Sequence, residues 1–172
     1  MLAPREHSGC TRYAALAVAA LAALCAGYGA AQPRDLLEPE RAFSLSARPL
    51  DPSTVEVRFA IADGYYLYRD KLKFSIEPGT LAAPPLLPPG KVKEDPFFGS
   101  VQTYRGDVVA RLKLAAPAPG AKVTLQAESQ GCADAGVCYP PQLQKLALAL
   151  PQSGAGPGSV VEFAPARKTW FR

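Results

Sequence analysis

Two-residue alternation is the dominant pattern from Ala42 onward. Val55, Val57, Phe59 and Ile61 alternate with Glu56, Arg58 and Ala60, and Leu72, Phe74 and Ile76 alternate with Lys71, Lys73, Ser75 and Glu77. Successive strand side chains point to opposite faces, so each run predicts a strand with one buried face. Further candidates are Phe43–Ala47, Tyr65–Tyr68, Val108–Leu114, Val123–Glu128 and Leu143–Leu150, separated by turn-rich pieces such as Ala62-Asp63-Gly64, Glu77-Pro78-Gly79 and Ala116 to Gly120. No stretch of useful length carries a helical period. Short strands at this spacing predict an all-β domain, an immunoglobulin-like antiparallel β-sandwich, with a closed barrel as the alternative. The 18 prolines and 14 glycines agree with many turns and few long helices.

Two stretches do not read as strands. Ala82 to Gly90 contains Pro84, Pro85, Pro88 and Pro89 and predicts a stiff surface loop. Residues 152–172 begin with a linker-like Ser-Gly-Ala-Gly-Pro-Gly and end in a basic aromatic patch of Arg167, Lys168, Trp170, Phe171 and Arg172. That patch raises the idea of membrane association.

The N-terminal region changes the meaning of the composition. Arg5 and Arg12 precede Ala14 to Ala31, an uncharged run closed by Gly29, Ala30 and Ala31, which is the order of a secretory signal peptide cut after Ala31. Its alanine content makes it a weak membrane anchor, and the bulky Leu24 disfavours lipid attachment at Cys25. Residues 1–31 are therefore expected to be a leader, 32–151 the domain and 152–172 the tail, with an exported, periplasmic destination. Without the leader, 17 basic and 14 acidic residues remain, a dispersed charge of +3 that does not suggest nucleic acid. His7 and Met1 go with the leader, which excludes Ser/His/Asp and Cys/His catalysis, His-based zinc sites and Met/His copper sites. Cys10 and Cys25 go too, leaving Cys132 and Cys138, and no cofactor or metal is expected.

Those two cysteines sit in Gln130-Gly131-Cys132-Ala133-Asp134-Ala135-Gly136-Val137-Cys138-Tyr139-Pro140-Pro141, between two predicted strands. Five intervening residues with a glycine allow them to face each other across the neck of a hairpin-like loop. A bond there has two readings. As a staple, closing so short a loop stabilises by only about 2 to 2.5 kcal/mol, in a domain large enough to fold without it. As a reactive bond, a short exposed loop suits attack by a partner thiolate. Asp134 and Tyr139 flank the sulfurs and are candidates to tune thiolate formation, although Asp134 is equally a turn-forming residue.

The Cys132–Cys138 segment resembles the active-site loop of the N-terminal periplasmic domain of DsbD, the bacterial thiol:disulfide interchange protein. Gly64-Tyr65-Tyr66-Leu67-Tyr68-Arg69, Lys93-Glu94-Asp95-Pro96-Phe97-Phe98-Gly99 and Tyr104-Arg105-Gly106 fit the same family in the same order, and the similarity runs from about Leu36 to Pro151. The resemblance implies an immunoglobulin-like sandwich that shuttles electrons, taken from a membrane-bound DsbD-type donor and passed to thioredoxin-like periplasmic acceptors such as a disulfide isomerase and cytochrome c maturation thioredoxins. It implies that Cys138 forms the intermolecular mixed disulfide and Cys132 resolves it. It also implies that Asp95, Pro96, Phe97, Phe98 and Gly99 form a cap loop over the bond, that Tyr65 and Tyr68 pack beside it, and that the domain acts as a monomer. Independently, Phe97 and Phe98 place two large apolar groups where neither strand alternation nor linker composition explains them. Pro96 departs from the family's polar residue there and implies a stiffer cap. The sequence contains neither a membrane bundle nor a thioredoxin-like domain, so the chain is expected to be either a free-standing relay or part of a larger product.

Overall fold

The computed structural model describes residues 36–95, 98–116 and 118–165. The leader with Cys10 and Cys25, Pro96 and Phe97 of the cap, and the Arg167–Arg172 patch lie outside the described residues.

After one helical turn at Pro39–Ala42, the described residues form twelve strands: β1 (Phe43–Asp51), β2 (Thr54–Ile61), β3 (Tyr65–Tyr68), β4 (Lys73–Glu77), β5 (Thr80–Leu81), β6 (Lys91–Asp95), β7 (Gly99–Tyr104), β8 (Asp107–Ala115), β9 (Lys122–Ser129), β10 (Gly131–Ala133), β11 (Gln142–Ala149) and β12 (Val161–Glu162). They build a five-stranded sheet in the order β12-β1-β2-β8-β5, a three-stranded sheet β11-β9-β4 and a four-stranded sheet β10-β3-β7-β6. Every pairing is antiparallel. The architecture is the immunoglobulin-like sandwich expected of the alternation, and not the closed barrel.

Register follows from the buried face. In β2, Val55, Val57, Phe59 and Ile61 are buried, and they pair across β1 and β8 with residues on the same face, as in Leu45↔Phe59 and Phe59↔Val108. Val123, Leu125 and Ala127 of β9, with Ile76, Leu146 and Leu148, complete the same core from the other sheet. A slip of one residue would turn any of these rows to solvent.

The four-stranded sheet uses both faces. Tyr65, Leu67, Tyr104 and Ala133 join the main core, while Tyr66, Tyr68 and Cys132 form a separate small cluster with Val101. Two of its strands, β6 and β7, escape the alternation pattern. Lys91-Val92-Lys93-Glu94-Asp95 is an edge strand with Val92 71% exposed, so there is no apolar row to read.

Two further differences concern the connectors. Leu86 exchanges backbone hydrogen bonds with Arg111 at 2.9 and 3.1 Å, which ties the proline-rich loop to β8. The segment after residue 151 is not a linker throughout. Ala47 pairs with Val161 and Ser46 with Glu162, and the Phe163 N–H donates to the Leu45 carbonyl at 2.8 Å. β1 would otherwise be a bare edge, and Val161 and Phe163 pack against the core, which compensates for ordering this stretch.

Candidate functional site

β10 carries Cys132 into the four-stranded sheet, with Gly131↔Leu67, Cys132↔Tyr66 and Ala133↔Tyr65 in register. A Cβ at position 131 would fall against the Tyr66 carbonyl oxygen and 2.7 Å from Phe43 Cζ, so only glycine admits the strand this closely. The chain then turns through Gly136 at φ +85°, where an L side chain is strained. The Gly136 N–H donates to the Ala133 carbonyl at 3.0 Å and the Ala133 N–H to the Val137 carbonyl at 2.8 Å. Cys138 returns opposite Cys132 in an isolated antiparallel bridge, with Cα atoms 4.0 Å apart and the sulfurs bonded. The two partners are not equivalent: Cys132 is 0% exposed, whereas Cys138 lies in the exposed stretch 134–138.

Alternation along β3 decides what covers the buried sulfur. Tyr66 and Tyr68 face Cys132, their rings T-shaped at 5.5 Å. The Tyr68 hydroxyl donates to Asp95 Oδ2 at 2.6 Å and lies 3.2 Å from Cys132 Sγ. Burial, then the Asp95 hydrogen bond, pushes the Tyr68 hydroxyl well above the usual tyrosine range, so it remains protonated at physiological pH. Asp95 is itself buried at the end of β6, and its Oδ1 accepts from the Phe98 N–H at 3.2 Å. Phe98 stands T-shaped to Tyr68 at 5.3 Å and is 45% exposed. Gly99, at φ +70°, turns the chain from the cap into β7. Of the expected cap residues, the structure therefore brings Asp95 and Phe98 to Tyr68, with Gly99 as their hinge into the sheet.

Asp134 and the two remaining tyrosines are placed differently from the sulfur-flanking expectation. The Asp134 carboxylate is bound by both ends of the Arg105 guanidinium, at 2.9 and 2.5 Å. Arg105, chiefly by that hydrogen bonding, holds the carboxyl below the usual range. Arg105 also donates to the Tyr65 carbonyl at 3.2 Å and lies over the Tyr66 ring at 5.2 Å. Tyr65 points into the main core, T-shaped to Phe43 at 6.0 Å, rather than toward the sulfurs. Tyr139 joins it there: its hydroxyl donates to the Leu37 carbonyl at 2.6 Å, while the Tyr65 hydroxyl accepts from the Leu37 N–H at 2.8 Å. Burial, then the Tyr65 contact, pushes Tyr139 up to about 12. Tyr65 and Tyr139 thus brace the loop from beneath.

Sequence reasoning assigned no role to Tyr66, Arg105, Lys93 or Lys71. The signal for Tyr66 was available, since a strand at 65–68 must put 66 and 68 on one face. Among the described residues, no cluster of three or more His, Cys, Asp and Glu side chains could hold a metal.

An immunoglobulin-like sandwich carrying a disulfide with one buried and one exposed cysteine, the buried one packed under Tyr66 and Tyr68, defines a narrow class of domain. Residues 33–150 match the family model described as "Thiol:disulfide interchange protein DsbD, N-terminal", and the chain belongs to that family. It is 49% identical over 129 residues to the thiol:disulfide interchange protein DsbD of Ralstonia nicotianae, covering 72% of this chain and 21% of that protein. It is 44% identical over 137 residues to DsbD 2 of Pseudomonas aeruginosa, covering 79% and 21%. The chain thus spans about a fifth of the length of these curated relatives. The reduced N-terminal domain of Neisseria meningitidis DsbD superposes with a TM-score of 0.65 at 33% identity, over 76% of this chain and 97% of that one. A second N. meningitidis structure, of the complex between the DsbD and PilB N-terminal domains, matches with a TM-score of 0.56 at 38% identity, over 66% and 88%.

Proposed function

We propose that this chain is a periplasmic thiol:disulfide exchange relay of the protein-disulfide reductase type, in which Cys138 meets the partner and Cys132 resolves. The observation that carries the reading is the unequal exposure of the two cysteines. In the reduced chain, the Cys138 thiolate attacks a partner disulfide, forming a mixed disulfide and expelling one partner thiolate. The Cys132 thiolate then attacks Cys138 Sγ, re-forming the internal bond and expelling the second. Two electrons pass to the partner, and the released thiolates take up protons. No bound cofactor is needed.

Fitting acceptors are thioredoxin-like periplasmic proteins, including a disulfide isomerase and cytochrome c maturation proteins, and the fitting donor is a membrane-bound DsbD-type protein. Docking of the N. meningitidis DsbD N-terminal domain on the PilB N-terminal domain supports a partner-binding role. Tyr68 lies over the buried sulfur and is itself held by Asp95 and Phe98, while Asp134, Tyr139 and Tyr65 hold the loop. A pure staple is the weaker reading on magnitude, because closing this loop stabilises by about 2 kcal/mol, no more than burying one leucine in a core already this large.

The test is trapping. Cys132→Ala should accumulate a stable mixed disulfide through Cys138 with a periplasmic thioredoxin-like protein, and Cys138→Ala should not. A measured reduction potential below about −300 mV, together with no trapped partner, would return the bond to a structural role.

A further inference from the structure

The aromatic cover over Cys132 is a row, and each end of the row carries a cation. Lys93 Nζ sits 3.8 Å from the centroid of the Tyr66 ring. Tyr66 meets Tyr68, Tyr68 meets Phe98, and Lys71 Nζ sits 4.6 Å from the Phe98 centroid at the far end. Among the described residues, neither ammonium lies within ion-pairing distance of a carboxylate. The nearby acids are otherwise engaged. Asp134 is held by Arg105, Asp70 lies beside Arg69, and Asp95 is buried with its Oδ2 on Tyr68.

Sheet alternation explains how charge separates here. Lys91↔Thr103, Lys93↔Val101 and Asp95↔Gly99 place the odd residues of β6 on the face of Tyr68, which pairs with Thr103. Lys91 and Lys93 therefore share the face of the disulfide cover, and Glu94 takes the opposite one. The rim of the site is basic although the chain as a whole is only mildly so. An ammonium held by a ring face rather than by a carboxylate keeps its full charge and can still attract an anion.

Resting on the exchange reading above, we propose that Lys71 and Lys93 form a charge-selective docking rim, and that the partners this chain favours carry acidic side chains around their own reactive cysteines. The charges act mainly on encounter, raising the association rate for acidic partners and lowering it for basic ones.

The test uses the reduced full-length chain with Cys10→Ser and Cys25→Ser, so that only the pair reports. It is mixed with three short cysteine peptides, each activated as a 2-pyridyl disulfide, whose flanking residues are acidic, neutral or basic. The Cys138 thiolate attacks the peptide sulfur, the peptide–pyridyl S–S bond breaks and pyridine-2-thione is released and counted. Cys132 then closes the pair and frees the peptide thiol. Rates are normalised to those of the same peptides with an uncharged small thiol.

At about 0.01 M ionic strength, where charges reach about 30 Å, the acidic peptide should react about fivefold or more faster than the basic one. The ratio should shrink toward one at about 1 M salt, where screening acts within about 3 Å. It should also collapse in Lys71→Gln/Lys93→Gln and persist in Lys71→Arg/Lys93→Arg. A ratio of one in the parent chain, or an unchanged ratio in the glutamine variant, overturns the proposal. A neutral peptide that fails to react refutes the exchange reading itself and removes this proposal with it.

Discussion

Tyr68→Phe separates the two states of the disulfide with one atom. The Tyr68 hydroxyl has a single hydrogen, and at 2.6 Å that hydrogen is committed to Asp95 Oδ2. In the oxidised chain the Cys132 sulfur, 3.2 Å away, has no hydrogen to offer, so the contact is weak. Reduction gives Cys132 a thiol that can donate to the lone pairs of the same oxygen, forming a relay from S–H to O–H to carboxyl. Through that thiol, Tyr68 favours the reduced state. Phenylalanine keeps the ring contacts with Tyr66 and Phe98 and removes only the oxygen. A neutral hydrogen bond of this kind contributes about 0.5 to 1.5 kcal/mol net. At 30 mV per 1.4 kcal/mol for a two-electron couple, the potential should become about 10 to 30 mV more negative. Both redox states also lose the bond to buried Asp95, which should lower unfolding stability by about 1 to 3 kcal/mol in each. The assay is equilibration against a dithiol/disulfide buffer of known potential, paired with urea unfolding of both states. Tyr104→Phe, whose hydroxyl bonds Pro88 on the other face of the sheet, is the control. A potential that is unchanged or less negative would refute the relay.

Other consequences follow from particular contacts. Gly131→Ala should cost about 1 to 3 kcal/mol by overpacking against Tyr66 and Phe43, read as a lower urea midpoint; an unchanged midpoint would mean that β10 can back away from β3. Because Arg105 lowers the Asp134 carboxyl, that pair adds stability above the ordinary carboxylate value of about 4 and loses it as pH falls. Asp134→Asn should therefore flatten the acid limb of Tm against pH below about 4, by no more than about 1 kcal/mol since both side chains are half exposed; an identical limb would refute the assignment. Tyr139, pushed up to about 12, contributes stability that is complete below about pH 10 and fades as pH rises toward 12. Tyr139→Phe should lose about 1 kcal/mol at neutral pH and show a shallower alkaline decline, and an equally steep decline would count against the Leu37 clamp.

What was legible in the sequence follows from which faces are apolar. β1, β2, β8, β9 and β11 each bury one face in the main core, and alternation alone located them. β6 carries charge on both faces, and it gains order from pairing with β7 and from Asp95 reaching Tyr68. None of this is visible in a five-residue window. β12 is two residues long and exists because β1 offers it an edge. At the site, cysteine spacing located the loop, but proximity in sequence misassigned its neighbours. Tyr139 follows Cys138 directly and still turns into the core, whereas Asp95, 37 positions before Cys132, meets it through Tyr68.

The unequal exposure of the pair comes from backbone geometry and, on the exchange reading, orders the chemistry. Cys132 is held in β10 by pairing with Tyr66, with the aromatic row above it, so no partner thiolate can align with its sulfur unless the cover moves. Cys138 stands past the Gly136 turn in the exposed stretch 134–138, within reach of a partner sulfur. Among the described residues, Cys132, 4.0 Å away by Cα, is the cysteine that reaches Cys138 from within. Exchanging these positions would need Cys138 to gain a strand partner and Cys132 to lose one. A one-residue slip of β10 along β3 is barred, because it would put a Cβ where Gly131 now lies against the Tyr66 carbonyl oxygen. On the exchange reading, the glycine beside the buried cysteine therefore decides which sulfur meets the partner, by fixing how close one short strand lies to another.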